Sequence, residues 1–142
     1  MEQVVSLELR NNLEESEIII TTVEKYWNDN NLNHHTLFNI NLAVEEVFSN
    51  IVRYAFTDKN QHFIFFNAYR DKDLFRIEFI DDGRKFNPTV QEKPDVNASI
   101  DEREPGGLGI FLVKNFSENV NYIREEGKNK LFITFNLKNG AH

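Results

Sequence analysis

The 142-residue chain contains no cysteine, which excludes disulfide frameworks, cysteine-ligated zinc, thiol catalysis and redox switching. It also lacks a basic run, since 16 Lys and Arg stand against 23 Asp and Glu for a formal net charge of −7. This balance argues against a direct nucleic-acid binder, because such affinity rests on clustered Lys and Arg. No segment approaches the roughly 18 apolar residues of a membrane span, and the N-terminus has no signal-peptide layout. We expect one soluble, acidic, cytoplasmic domain over residues 1–142 that contacts no membrane.

Hydrophobic spacing divides the chain into strands and helices. Alternating or strand-like runs predict five strands, at residues 4–9, 62–69, 74–80, 120–124 and 131–137. Spacing of three and four residues predicts three helices, at residues 11–30, 33–56 and 108–117. The apolar stripe of the first helix is predicted to consist of Leu13, Ile19 or Ile20, Val23 and Trp27, and that of the second of Leu37, Ile40, Val44, Val47 and Ile51. With helices grouped early and strands joined mostly by hairpins, this order predicts an α+β fold. We expect a two-layer sandwich with helices on one face of a mixed, mostly antiparallel sheet.

The segment 81–107 differs in composition from the rest of the chain. All three prolines, Pro88, Pro94 and Pro105, lie in it among charged and small residues. A loop longer than about 12–15 residues is uncommon in so small a domain and is usually functional, often as a lid. The segment therefore indicates a functional loop.

The long predicted helix carries a first candidate site. Glu46 and Asn50 lie four residues apart, so a helix places the carboxylate and the amide on one face. Their oxygens are hard ligands that Mg²⁺ accepts, or the carboxylate acts as a base beside a metal held by the amide. Taken alone, such a pair more often belongs to the solvated face of an ordinary helix.

Two glycine-containing segments flank the proline-bearing loop. Asp81 and Gly83 follow a predicted strand, where an Asp can accept a hydrogen bond from an exocyclic amine and a glycine allows close approach of a ligand. Alone, this segment is more often an ordinary Asp-Gly turn. Gly107 and Gly109 open an apolar helix, which exposes backbone N–H groups to phosphates. Hinge glycines at the end of a lid are the alternative there, and neither the Walker A nor the Gly-x-Gly-x-x-Gly pattern applies.

The three segments in this order are more specific than any one of them. Residues 42–56 (LAVEEVFSNIVRYAF) resemble the N box of the GHKL superfamily of Bergerat-fold ATPases. Residues 81–88 (DDGRKFNP) and 106–113 (GGLGIFLV) resemble its first and second glycine boxes. Within the superfamily, the chain resembles the bacterial anti-sigma-factor serine kinases, also called switch-protein kinases. The likeness covers nearly the whole chain, including the length and element order of the family's catalytic domain.

The resemblance implies an ATP site that uses Mg²⁺. Asn50 would coordinate the metal, and Glu46 would be the general base that draws the proton from a substrate serine. Arg53, one helical turn past Asn50, would face the phosphates. Asp81 would hydrogen-bond the adenine amine, with Gly83 giving the base room. This division of labour suits phosphoryl transfer, which needs positioning and charge neutralisation more than covalent chemistry.

The second glycine box and two departures complete the implied site. Backbone N–H groups at the phosphates would come from Gly107, Leu108 and Gly109, and residues 87–106 would form the lid. Lys85 stands where the first box usually has a second glycine, so its side chain either points to solvent or reaches toward the phosphates. Tyr54 stands where many relatives carry a histidine. Neither departure touches the residues implied for ATP binding.

Three functions follow as hypotheses. The resemblance implies a homodimeric serine kinase that phosphorylates a small STAS-type antagonist protein and sequesters a sigma factor or similar regulator. The alternative is a nucleotide-gated protein-binding module without phosphotransfer. The ATPase half of a two-component histidine kinase is disfavoured, since we find no room for a dimerisation helix pair. None of the four histidines is placed as a phospho-acceptor: His34, His35, His62 and His142.

Overall fold

The computed structural model describes residues 1–90 and 107–138. Residues 91–106, which make up most of the predicted lid, lie outside the described residues. The elements in chain order are β1 (Glu2–Arg10), a 3₁₀ turn (Leu13–Glu15), α1 (Ser16–Asp29), α2 (His34–Tyr54), β2 (Phe63–Asp71), β3 (Leu74–Asp81), α3 (Gly107–Phe116), β4 (Asn119–Glu125) and β5 (Lys128–Asn136). All eight elements predicted from hydrophobic spacing are present, with ends shifted by a few residues.

The strands form one sheet in the order β1-β2-β3-β5-β4, and every neighbouring pair is antiparallel. The predicted α+β sandwich is confirmed, and the sheet differs from the expected mixed one in having no parallel pair among the described strands. The crossover through α3 does bring β4 back in the direction of β3. However, the β4–β5 hairpin inserts β5 between them, so the two parallel strands never become neighbours.

The helices follow from capping and apolar spacing. Asn33 caps α2, because its side-chain oxygen accepts a hydrogen bond from the His35 N–H at 2.7 Å. The stripe predicted for α2 is buried in full, at Leu37, Ile40, Val44, Val47 and Ile51. In α1 the predicted Ile19, Val23 and Trp27 are buried.

Leu13 is an exception to the predicted α1 stripe. It is 44% exposed, because it lies in the 3₁₀ turn that precedes the helix and not in α1 itself. The helix begins at Ser16, later than the predicted start at residue 11. The Asn12 side chain accepts a hydrogen bond from the Glu14 N–H at 3.0 Å and so caps the 3₁₀ turn instead of the helix.

The antiparallel register positions the candidate site at one end of the sheet. Asp81, the last residue of β3, pairs with Asn129 at the start of β5. The turn joining β4 to β5 has positive φ at both central residues, Glu126 and Gly127, as a two-residue hairpin requires.

Within residues 1–90 and 107–138, no helix combines the length and apolarity needed to cross a membrane.

Candidate functional site

Asp81 is a buried carboxylate at the end of a central strand. It is 2% exposed, and its Oδ1 accepts hydrogen bonds from the Gly83 N–H and from the Asn129 side-chain amide, both at 2.9 Å. Burial raises the pKa of Asp81, and the two hydrogen bonds oppose that rise because they stabilise the charged form. The predicted position of Asp81 at the end of a strand is confirmed, and one oxygen of its carboxylate accepts two hydrogen bonds from the protein.

Gly83 lies directly against the end of α2. A Cβ atom on Gly83 would overlap the carbonyl oxygen of Ala55 and lie 2.9 Å from its carbonyl carbon. The Arg84 N–H donates to the same carbonyl oxygen at 2.8 Å. The absence of a side chain at position 83 therefore lets the turn after β3 close onto the C-terminal end of the N-box helix.

The three polar residues predicted on α2 differ in their surroundings. Glu46 is partly buried, and burial and the neighbouring Glu45 raise its pKa while Arg53 lowers it. The Asn50 side-chain N–H donates to the Pro88 carbonyl at 3.0 Å, so the nitrogen and not the amide oxygen makes this hydrogen bond. Arg53 is exposed. The spacing of four residues thus places a carboxylate and an amide oxygen on the same face of α2.

The start of α3 meets this face of α2. Gly107, Leu108 and Gly109 form the first residues of the helix. A Cβ atom on Gly109 would overlap the side-chain carboxylate of Glu46. The segment that resembles the second glycine box therefore lies within contact distance of the Glu46 carboxylate, and a helix start presents N–H groups of the kind that bind anions.

The described residues fit Mg²⁺ held partly by a substrate. No three His, Asp or Glu side chains in residues 1–90 and 107–138 are close enough together to form a metal cage. Mg²⁺ usually takes one or two protein oxygens and completes its shell with water and phosphate oxygens. The Asn50 amide oxygen would be one such protein ligand, and the Glu46 carboxylate lies one helical turn before it.

A groove of about 290 Å³ opens beside Glu46 on the side of α1. Its other lining residues come from the 3₁₀ turn, the start of α1 and the second half of α2: Leu13, Ser16, Glu45, Phe48, Ser49 and Arg53. The Glu46 side chain is therefore accessible from a groove large enough for a small polar side chain and its backbone.

The two departures from the family pattern have clear positions. Lys85 is exposed and so is not part of the buried core. The Tyr54 ring packs against Phe86 with 6.0 Å between centroids, and the Tyr54 carbonyl accepts a hydrogen bond from the Arg84 side chain at 2.8 Å.

Sequence reasoning missed Asn129 and Arg124. Asn129 holds Asp81, and the Arg124 guanidinium donates to the Gly83 carbonyl at 2.7 Å and to Asn129 at 3.1 Å. A signal for Asn129 exists, because it lies on the same side of β5 as the buried apolar residues Leu131 and Ile133. A polar residue at an inward position of a strand is a candidate partner for another buried polar group.

Comparison with known proteins identifies the family. The family model for the histidine kinase-like ATPase domain matches residues 9–135. The chain belongs to this family. The resemblance to the GHKL ATPases is thereby confirmed, and the matched range contains every residue predicted for the site.

Curated relatives of this ATPase domain are named protein kinases. The ATPase domain is 30% identical over 97 residues to the serine/threonine-protein kinase BtrW of Bordetella bronchiseptica, and the match covers 68% of both chains. It is 27% identical over 99 residues to the serine-protein kinase RsbW of Bacillus mycoides, covering 66% of this chain and 61% of that one. The match to RsbW of Staphylococcus aureus is 33% identical over 92 residues and covers 57% of that chain. The ATPase domain thus matches about three fifths to two thirds of these relatives' lengths.

Solved structures agree on the fold of the ATPase domain. The RsbU and RsbW domains of a Mycobacterium tuberculosis protein match 94% of this chain with a TM-score of 0.64 at 14% identity, covering 33% of that chain. The histidine kinase domain of a blue-light activated kinase from Erythrobacter litoralis matches 75% with a TM-score of 0.54 at 21% identity, covering 46% of that chain. At these identities the likeness shows the fold alone.

Proposed function

We propose that the ATPase domain is a regulatory serine kinase that uses Mg-ATP to phosphorylate a small STAS-type antagonist protein. The observation that carries the proposal is the contact between Gly109 and Glu46. It brings a phosphate-binding helix start against a carboxylate that a groove leaves accessible, which suits transfer of a phosphoryl group to a hydroxyl. The kinase names of the relatives support the same function.

Asp81 and Gly83 are proposed to bind the base of ATP. Asp81 is buried and keeps one carboxylate oxygen free of the two hydrogen bonds described above, so it can accept the adenine amine. The contact of Gly83 with Ala55 holds the turn close to α2, where the base would lie. Backbone N–H groups of Gly107, Leu108 and Gly109 are proposed to bind the phosphates, and Arg53 to face them.

Glu46 is proposed as the general base. It takes the proton of the substrate serine hydroxyl while the serine oxygen forms a bond to the γ-phosphorus, and the bond from that phosphorus to the ADP oxygen breaks. A carboxylate whose pKa is raised by burial is a stronger base than an exposed one. Mg²⁺, held by the Asn50 amide oxygen and the phosphates, would supply charge neutralisation at the transferred group.

The wider regulatory role is part of the proposal. By likeness to the RsbW kinases, the ATPase domain is proposed to sequester a sigma factor or similar regulator, as a cytoplasmic homodimer whose single domain spans residues 1–142. An edge position supports pairing through β1, because β1 lies at one end of the sheet and, among the described strands, pairs with β2 alone.

Affinity capture from a native lysate tests the proposal. The ATPase domain is incubated with Mg-ATP or Mg-ADP, and the captured proteins are examined by phosphosite mass spectrometry. A small partner held with ADP and recovered serine-phosphorylated with ATP establishes the kinase and its substrate. Partners that exchange with nucleotide but never gain phosphate establish the nucleotide-gated binding module instead.

A first prediction tests the role of Glu46 as the general base. The change Glu46→Gln keeps the size of the side chain and removes the base, so ATP binding is retained and phosphotransfer falls by about 100-fold or more. The control is Glu24→Gln, an exposed carboxylate on α1, which leaves both quantities unchanged. ATP affinity is measured by calorimetry and transfer by phosphoserine formation on the captured partner. Unaltered transfer in Glu46→Gln excludes the base role.

A further inference from the structure

Asn129 is a buried amide in contact with Asp81. It is 2% exposed and lies across from Asp81 at the start of β5. Its side-chain nitrogen donates to Asp81 Oδ1 at 2.9 Å and to the Arg84 carbonyl at 2.7 Å. Both protons of the amide are therefore used by oxygen acceptors on the turn that is proposed to bind adenine.

The amide oxygen of Asn129 accepts from three groups. The Phe86 N–H donates to it at 3.2 Å, the Tyr122 hydroxyl at 2.5 Å and the Arg124 guanidinium at 3.1 Å. A backbone N–H and a guanidinium only donate, so the atom that faces them has to be the oxygen. The surroundings thus determine the orientation of the amide, and its N–H groups point to Asp81.

This orientation determines the hydrogen-bonding polarity of Asp81. Oδ1 receives two N–H donors, from Gly83 and from Asn129, and both favour the ionised carboxylate. The other oxygen, Oδ2, takes no part in these two hydrogen bonds and would be the acceptor offered to a bound base. A 6-aminopurine offers a donor at that point, whereas a 6-oxopurine offers a second acceptor and leaves the buried groups unpaired.

We propose that Asn129 is a positioning residue that makes the base pocket select 6-aminopurines over 6-oxopurines, by holding Asp81 as an acceptor. The inference rests on the proposed nucleotide binding and adds the residue responsible for selection of the base. Arg124 contributes to the same arrangement, because it donates both to Asn129 and to the Gly83 carbonyl.

The affinities for ADP and for inosine diphosphate test the inference. The two nucleotides differ at the 6-position, with an amine in one and an oxo group in the other. The change Asn129→Asp replaces the donor by a second carboxylate, so that the pair with Asp81 shares a proton and can donate to an oxo group. The preference for ADP falls by about tenfold or more. In the control Asn121→Asp, an exposed residue of β4, the preference is unchanged.

The change Tyr122→Phe provides a second test in case the Asn129→Asp variant does not fold. It removes one donor to the Asn129 oxygen and leaves the side-chain volume nearly unchanged, so the preference falls by a smaller factor. A purely structural role for Asn129 lowers both affinities together and leaves their ratio constant, which overturns the inference. Equal binding of both nucleotides by the unchanged protein also overturns it while nucleotide binding stands. Binding of neither nucleotide overturns the proposed function as well.

Discussion

The two ends of the candidate site are built differently. One end is proposed to bind the base and is called the base end; there Asp81 and Asn129 are buried and joined to the turn after β3 by a continuous hydrogen-bond network. The other end is proposed to bind the phosphates and is called the phosphate end; there Glu46 and Asn50 are only partly buried and Arg53 is exposed. The proposed base end is thus held in place by hydrogen bonds within the protein, whereas the proposed phosphate end is more exposed and has fewer such contacts.

Two glycines show the same difference. A side chain on Gly83 would meet backbone atoms of Ala55, which cannot move without displacing the end of α2. A side chain on Gly109 would meet the side chain of Glu46, which can rotate away. Alanine at the first position therefore disturbs the fold, whereas alanine at the second disturbs the chemistry.

Among the variants that compare the two ends, the largest expected effect is that of Gly109→Ala on phosphotransfer. The new methyl group displaces the Glu46 carboxylate, and a misplacement of about 1 Å is enough to cost about 100-fold in rate. The free energy of unfolding does not fall, because Glu46 relaxes and alanine favours a helix over glycine by about 1 kcal/mol. Transfer to the captured partner and urea unfolding measure the two quantities.

Gly127→Ala is the matched control for this change. A methyl group there meets nothing within 4 Å, but the residue has φ of +77°. The variant loses about 1 kcal/mol of stability through backbone strain and transfers phosphate at the normal rate. If Gly109→Ala transfers phosphate as fast as this control, the contact with Glu46 has no part in transfer.

Gly83→Ala is expected to have a smaller effect, and one on stability and nucleotide affinity instead of on the transfer step. Overlap with the Ala55 backbone separates the turn from α2 and lowers the free energy of unfolding by about 1–3 kcal/mol. The affinity for ADP falls with it, because Asp81 loses the backbone donor that the turn provides. Urea unfolding and calorimetry measure both, with Gly127→Ala again as the control. Unchanged stability together with unchanged affinity contradicts a base end held by backbone contacts.

The same contrast explains what the sequence could predict. The phosphate end lies mostly on helices, where a spacing of four residues already places Glu46 and Asn50 on one face. The base end depends on strands distant in the chain, and the contact of Asn129 with Asp81 follows only from the register of β3 with β5. Arg124 was missed for the same reason, since pairing across a sheet has no short sequence signature.

The sequence pattern also could not predict whether all neighbouring strands are antiparallel. A strand, a helix and a further strand predict a parallel neighbour, and β3, α3 and β4 do run in that order. The chain then places β5 in the gap, a choice that depends on the whole sheet and not on any one segment. The contact of Gly109 with Glu46 likewise depends on how α2 and α3 pack.

The smallest expected effect is on the pH dependence of transfer, and it tests how open the phosphate end is. Transfer needs ionised Glu46, so its rate rises with pH through the pKa that burial and Glu45 raise and Arg53 lowers. Arg53→Gln removes the lowering charge and moves the rise to higher pH. Glu45→Gln removes the raising charge and moves the rise to lower pH. Rates at saturating ATP, with Glu24→Gln as a control, show the midpoints. Shifts in the same direction, or none, would mean that the titrating group is not Glu46.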